Sequence, residues 1–268
     1  SRSGGFADRM IVLDADSLAV HTVKDSDGDG RLWSLAVTNE GEAVAGMNEG
    51  ELLYTTQPRG IPVPTGRRVT AVSVSVFGHV VVGDLGGALM CGPFGGGDVR
   101  LLELGRSIND LDVDSPSGTV VVGTAAGLAQ VYAGAIDGVP VTECDPGTWR
   151  RSGPPIEHES IISVDSANSG AILVSANSDG SAEIWDVARL RLVGRITLPD
   201  GNAVEHVAIG ADGRSLVIGG GEAAIVFDID REHLRSRLCE IAGRDLTMDE
   251  RAAFLPDAKY HDLARCLP

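Results

Sequence analysis

Lysine is nearly missing from this chain: Lys24 and Lys259 stand against twenty arginines. The skew reads as the codon usage of a GC-rich bacterial genome. Aromatic residues are scarce at 4%. No apolar run approaches the ~20 residues that a membrane-spanning helix needs. The four cysteines, Cys91, Cys144, Cys239 and Cys266, are too few and too scattered for a disulfide scaffold, and the absence of C-x-x-C excludes a zinc ribbon. Basic residues are outnumbered, 22 to 38, for a net charge of −16. Such a surface repels phosphate backbones, so neither nucleic acid nor an anionic membrane is an expected partner.

Catalytic signatures are missing too. The six histidines are scattered and none lies in H-E-x-x-H spacing, so a catalytic metal has no support. There is no G-x-x-x-x-G-K-[ST] loop and no G-x-S-x-G elbow. Gly92–Gly97 is Gly-rich but lacks the following helix that phosphate cradling needs, and reads as a hairpin tip. The first residues, Ser1-Arg2-Ser3, are neither an initiator Met nor a signal peptide, which reads as a processed or excised part of a longer chain.

What the chain has is glycine. Gly fills 35 of 268 positions, close to twice the usual ~7%. Hydrophobic and charged shares of 43% and 22% are those of a folded protein. Many sharp backbone turns argue for short strands and against a helical bundle.

Five segments share one layout: an apolar alternation, a polar turn, a Val-rich run ending in a small residue, a Gly turn and another apolar strand. They start at Trp33, Val69, Ile108, Ile161 and Val204. The small residue closing the second strand falls at Gly46, Gly83, Gly123, Ser175 and Gly219. The spacings of 37, 40, 52 and 44 residues match a four-stranded propeller blade. Val69–Val76 alternates as a half-buried strand does, while Val80–Val82 and Val120–Val122 are runs expected in strands buried on both faces. Met10–Lys24 aligns with the last two strands of a blade. The expected organisation is a half-blade at 6–32, blades at 33–68, 69–107, 108–160, 161–203 and 204–230, and a C-terminal helical tail at 231–268. The fold class is all-β. Two readings of the ring stand: about six four-stranded blades with degenerate terminal strands, or part of a larger ring whose missing strands come from elsewhere.

The fourth repeat carries a motif. His158 precedes its first strand, Ser175 lies on its second, Asp179 in the following turn, and Trp185-Asp186 on its third. This pattern resembles a WD-repeat blade. The resemblance implies a structural hydrogen-bonded tetrad of His158, Ser175, Asp179 and Trp185, and it takes precedence over a hydrolase triad, which is recognised by geometry. In the other blades Gly replaces the Ser, and Tyr54, Tyr132 and Phe227 stand near the Trp position.

The tail gives a second resemblance. Arg231–Ala242 places Leu234, Leu238 and Ile241 on one helical face, with Gly243 suited to the C-cap. Thr247-x-x-Glu250 is a capping box opening a short helix. The string Cys239-x-x-Ala242-Gly243-Arg244-x-Leu246-Thr247, then Leu255-Pro256, Tyr260 and Cys266, resembles the closing segment of large multidomain actinobacterial WD-repeat proteins. In those proteins a propeller follows a STAND-type nucleotide switch or a kinase. The resemblance implies a tail that packs on the last blade, a cytoplasmic location, and Cys239 and Cys266 near enough to be candidates for a disulfide.

Two further stretches are candidates for binding. Asp25, Asp27 and Asp29 form D-x-D-x-D-G, the front half of a calcium loop, but the later carboxylate is missing and the alternative is a solvated turn. Trp149-Arg150-Arg151 is the one aromatic–basic cluster, in the insertion Ala133–Glu157 that lengthens one spacing; Trp and Arg are favoured hot spots.

The expected function is that of a non-catalytic sensor or scaffold. It would bind a protein ligand, a partner chain or the rest of its own polypeptide, and control an attached effector domain. A propeller hydrolase or lactonase is the first alternative. It would need converging carboxylates or histidines at inner-strand ends, and no repeated polar position is apparent there. The second is a structural assembly subunit.

Overall fold

In the computed structural model of this chain the described residues are 9–13, 20–25, 30–38, 40–75, 78–114, 119–133, 135–136, 139–140, 150–151, 156–157, 160–167, 171–187, 189, 191–198, 202–210, 212–221, 223–245, 247 and 250. They form a propeller-like arrangement of antiparallel sheets. A two-stranded sheet comes first, of β1 (Arg9–Leu13) and β2 (Val20–Asp25). The first blade is β3 (Leu32–Val37), β4 (Ala43–Met47), β5 (Glu51–Tyr54) and β6 (Ile61–Pro62), in that order. The second is β7 (Val69–Val74), β8 (His79–Asp84), β9 (Ala88–Pro93) and β10 (Arg100–Glu103).

The third blade starts with β11 (Ile108–Asp114), β12 (Thr119–Thr124) and β13 (Leu128–Ala133). A small hairpin of β14 (Ala135–Ile136) and β15 (Val139–Pro140) follows. The outer edge is made in two pieces, β16 (Arg150–Arg151) and β17 (Ile156–Glu157), which pair with opposite ends of β13. The fourth blade is β18 (Ile161–Ala167), β19 (Ile172–Asn177), β20 (Ser181–Asp186) and β21 (Arg191–Thr197). A three-stranded sheet of β22 (His206–Ile209), β23 (Ser215–Gly220) and β24 (Ala223–Asp228) precedes one helix, α1 (Arg231–Ala242).

Each blade's second strand is the buried one. Every residue of β4 and β12 is buried, which is why the sequence there is a continuous apolar or small run rather than an alternation. The core lies between sheets, not within them. Tyr54 and Val44 of the first blade pack with Val69, Val72 and Met90 of the second. Val81 and Leu89 pack with Ile108 and Leu111. Val121 packs with Ile161 and Val164, and Val174 with Val207 and Leu216. Fully burying a side chain such as Ile108 is worth ~1.5–3 kcal/mol, so stacking supplies what no single sheet could.

The glycines at the end of the first three second strands have a steric cause. A Cβ on Gly46 would lie 2.3 Å from Val69 Cγ1, one on Gly83 2.4 Å from Ile108 Cγ2, and one on Gly123 2.7 Å from Ile161 Cγ2. The first residue of each next blade fills the space a side chain would need.

The tail helix forms as its sequence predicts. Asp230 accepts hydrogen bonds from the N–H groups of Glu232 (2.8 Å) and His233 (3.2 Å). Gly243 closes it at φ 67°. The Thr247–Glu250 capping box is formed in both directions, at 2.8 and 3.2 Å. Yet Leu234 and Ile241 are exposed. The visible ties of α1 to the last sheet are polar, between His233 and Asp228 and between Asp230 and Arg214 at 3.2 Å.

Candidate functional site

The inner strands run β3, β7, β11, β18, β22, each packed on the next; β22 does not pack back on β3 as its neighbours pack on each other. Aligned by register, the first four share an irregularity at one place: between Leu32 and Ser34, Val69 and Ala71, Ile108 and Asp110, and Ile161 and Ser163. The residues just after it face the following blade.

Those residues hold the blades together. Ser34 Oγ accepts from the Val72 N–H at 2.9 Å, Asp110 Oδ2 from Val164 at 2.9 Å, and Ser163 Oγ from Val207 at 3.5 Å. Two residues on, Ser73 Oγ accepts from Val113 at 3.3 Å, Asp112 Oδ2 from Ser166 at 3.1 Å, and Asp165 Oδ2 from Ile209 at 2.7 Å. Thr70 Oγ1 and Asn109 Nδ2 donate to the carbonyls of Ile108 (2.5 Å) and Ile161 (2.8 Å). The inner strand is a sheet edge, and its outward amides would otherwise lack acceptors. The absence of a repeated polar position at the inner strands, expected from sequence, is therefore corrected. Two alternate positions carry it, each Ser or Asp in three of the four blades and Ala in the other (Ala71 at the first, Ala36 at the second), so every junction has at least one acceptor.

Three of these side chains are carboxyls in close company. Burial, first of all, raises Asp110, Asp112 and Asp165 above the usual carboxylate range. The charge of Asp165 adds to the effect at Asp112, which is pushed up to about 7. Hydrogen bonds from Ser166, including one from its hydroxyl to Asp112 Oδ2 at 2.5 Å, oppose the shift. Burial and the nearby Asp165 charge thus disfavour the charged form of Asp112, while Asp165 accepts from the Ile209 and Ser166 N–H groups.

Among the described residues, the first blade has no such inner-strand neighbour on its other side. Met10 of β1 covers Ala43, Ala45, Met47 and Leu53, on β4 and β5. The inner strand β3 stays open. Leu35 and Val37 are each 51% exposed, whereas their register equivalents Val72, Leu111, Val113, Val164, Ser166, Val207 and Ile209 are 4–8% exposed and Val74 is half-buried. Trp33 and Ile11 are exposed alongside, and the Trp33 ring is packed by the Arg68 guanidinium at 4.6 Å. Among the described residues no side chain offers an acceptor to the amides of Leu35 or Val37. At the far end, a Cβ on Gly219 would meet nothing closer than 3.8 Å. The steric pressure that explains Gly46, Gly83 and Gly123 is lifted there.

Residues singled out from the sequence fall as follows. Ser175 is buried on β19, and Trp185 on β20 is half-buried against the Ile161 and Leu173 cluster. Asp179, in the turn between, accepts from Ser181 N (2.9 Å) and Oγ (2.6 Å) and pairs with Arg195. His158 lies outside the described residues. The sequence reading missed Ser181 and Arg195; an Asp-Gly-Ser turn was the available signal for the former. Arg150 and Arg151 are strand residues at the edge of the third blade, because the chain returns to pair with β13 only at the end of the insertion; Trp149 lies outside the described residues. Asp25 ends β2, opposite Arg9. Asp27 and Asp29 lie outside, and with them the calcium candidate. Cys239 is disulfide-bonded, and so is Cys91, which the sequence did not single out; Cys266 lies outside. An apolar cavity of about 200 Å³ between the first two blades has Asp98 as its single lining carboxylate. It is below the ~300–1,000 Å³ of small-molecule sites.

No protein-family model matches the chain, and no curated protein matches it.

Proposed function

We propose that the chain is a non-catalytic protein-interaction propeller, a sensor or scaffold that binds a protein ligand and governs an effector domain attached to it. The observation that carries this reading is the open inner strand of the first blade. Leu35 and Val37 are exposed, whereas the residues in register with Leu35 are buried in every later sheet and those in register with Val37 are buried in all but the second blade, where Val74 is half-buried; Trp33 is exposed beside them. Exposed contiguous apolar surface marks interaction sites, and Trp and Arg, here Trp33 with Arg68, are favoured anchors. WD-type blades, about six in number or part of a larger ring, belong to the same reading. Its support is the Ser175, Asp179 and Trp185 placement and the resemblance of the tail to actinobacterial multidomain proteins. A cytoplasmic location fits that resemblance but sits poorly with disulfide-bonded Cys91 and Cys239.

The test is photo-crosslinking from a residue placed at Trp33, in extract of the source cells, identified by mass spectrometry. One protein set should be captured by the wild type and lost with Leu35→Asp/Val37→Asp. Capture unchanged by that double substitution would refute the reading. A hydrolase has one observation in its favour, a buried inner-strand carboxyl, Asp112, raised well above the usual carboxylate range by burial and the Asp165 charge. Turnover in an ester and lactone panel, lost with Asp112→Asn, would favour that alternative instead.

A further inference from the structure

We propose that the open face of the first blade is the seat of a two-stranded antiparallel β-hairpin from a partner polypeptide, which adds to the free edge of β1 and lays its inner strand over β3. This inference rests on reading that face as a binding surface, and goes further by naming the occupant.

The shape of the gap sets its width. In each four-stranded blade two strands, the first and second, lie inside the third. Here, among the described side chains, Met10 of β1 packs on Ala43, Ala45, Met47 and Leu53, with Leu32 of β3 at the margin of the cluster. Among the described strands β1 pairs with β2 alone, and the edge opposite β2 is the one a further strand would join by β-augmentation. What is missing beside it, over β3, is two strands wide, about 10 Å at ~4.8 Å per strand.

The junctions further along the chain set the chemistry. Wherever one blade meets the next, an inner-strand Ser or Asp accepts from amides at the register positions of Leu35 or Val37. At the first three junctions the second strand of the covering blade brings Gly against the register position of Leu32, as Gly46 does for Val69, Gly83 for Ile108 and Gly123 for Ile161. The occupant therefore carries Ser or Asp at alternate positions of its first strand. It carries a Val-rich second strand that ends in Gly. A second copy of this chain fits less well. Among the described residues its open sheet, β22–β24, is three strands wide, and β24 would collide with β1. It also offers His206 and Ala208 where the acceptors are needed, and Ala cannot accept.

The probe is a synthetic hairpin with the sequence of residues 108–124, which carries Asp110, Asp112 and Gly123 in the required register. It is titrated against the whole chain, with binding read by fluorescence anisotropy and residue-resolved amide exchange by NMR. Saturable binding should slow exchange at Leu35 and Val37. Affinity should fall about tenfold or more with a peptide carrying Asp110→Ala and Asp112→Ala, the order of loss expected for two hydrogen bonds. It should fall similarly with Val37→Asp in the protein; Val37 is exposed, and circular dichroism checks that this variant folds. Binding without protection at Leu35 and Val37, or no binding, would overturn the proposal. So would concentration-dependent self-association of the chain alone that Val37→Asp abolishes, because it would make a second copy the occupant. The crosslinking experiment fails or succeeds separately: capture lost with Leu35→Asp/Val37→Asp but no hairpin binding would keep the binding face and discard this occupant.

Discussion

Glycine-to-alanine substitutions at equivalent positions should have opposite consequences along the chain. Gly46, Gly83, Gly123 and Gly219 close second strands, and none has a positive φ, so alanine imposes no backbone strain at any of them. The difference is what the new methyl meets. In Gly83→Ala it would sit 2.4 Å from Ile108 Cγ2 and 2.9 Å from Ile108 Cβ. A comfortable carbon–carbon contact is ~3.5–4.0 Å, so the second and third blades must separate by about 1 Å or Ile108 must leave its rotamer. Overpacking of this kind costs ~1–3 kcal/mol. Gly46→Ala and Gly123→Ala face the same clash with Val69 and Ile161. In Gly219→Ala the nearest atom is 3.8 Å away, and restricting the unfolded chain stabilises by ~0.4–1 kcal/mol. Urea unfolding followed by circular dichroism should show the midpoint lowered for Gly83→Ala and unchanged or raised for Gly219→Ala, at constant slope. Equal effects at the two positions would refute the claim that these glycines exist for blade stacking.

The aspartates between the third and fourth blades predict a pH dependence. Asp112 is raised from 3.8 to about 7 in the folded chain. Its contribution to stability is therefore greatest below pH ~4 and is lost as pH rises through 7, by up to about 4 kcal/mol. Asp112→Asn should flatten the stability difference between pH 5 and 8 relative to wild type; an unchanged difference would show that Asp112 does not hold the proton. Alkylation of the denatured chain followed by peptide mass spectrometry should leave Cys91 and Cys239 unmodified until a reductant is added; modification of either without reductant would contradict the disulfides. Ser73→Ala removes the acceptor of the Val113 N–H and should cost ~1–2 kcal/mol while leaving far-ultraviolet circular dichroism unchanged.

The strands and the helix were legible because their signals are local. A Val-rich run such as Val120–Val122 can only be buried on both faces, and Arg231–Ala242 carries its own cap at Gly243. The recurrence of Gly46, Gly83 and Gly123 was visible, but its cause was not, because the crowding atom belongs to the next repeat. The Ser and Asp acceptors were hidden for a related reason. Each joins residues 38 to 54 apart in sequence, and either an alcohol or a carboxyl oxygen can serve, so no single residue type repeats. The open face was the least legible feature. Trp33, Leu35 and Val37 alternate as Thr70, Val72 and Val74 do, and nothing local distinguishes a strand face that is covered from one that is not. The split outer edge of the third blade, β16 and β17, depended in the same way on where a long insertion returns to pair.

Residue-resolved hydrogen exchange on the chain alone tests the central claim, that side-chain acceptors hold successive blades and leave the first inner strand open. The account predicts slow exchange at the amides of Val72, Val113, Val164 and Ile209, each bonded to the preceding blade, and fast exchange at Leu35 and Val37. Protection at Leu35 and Val37 equal to that of the other four would contradict it.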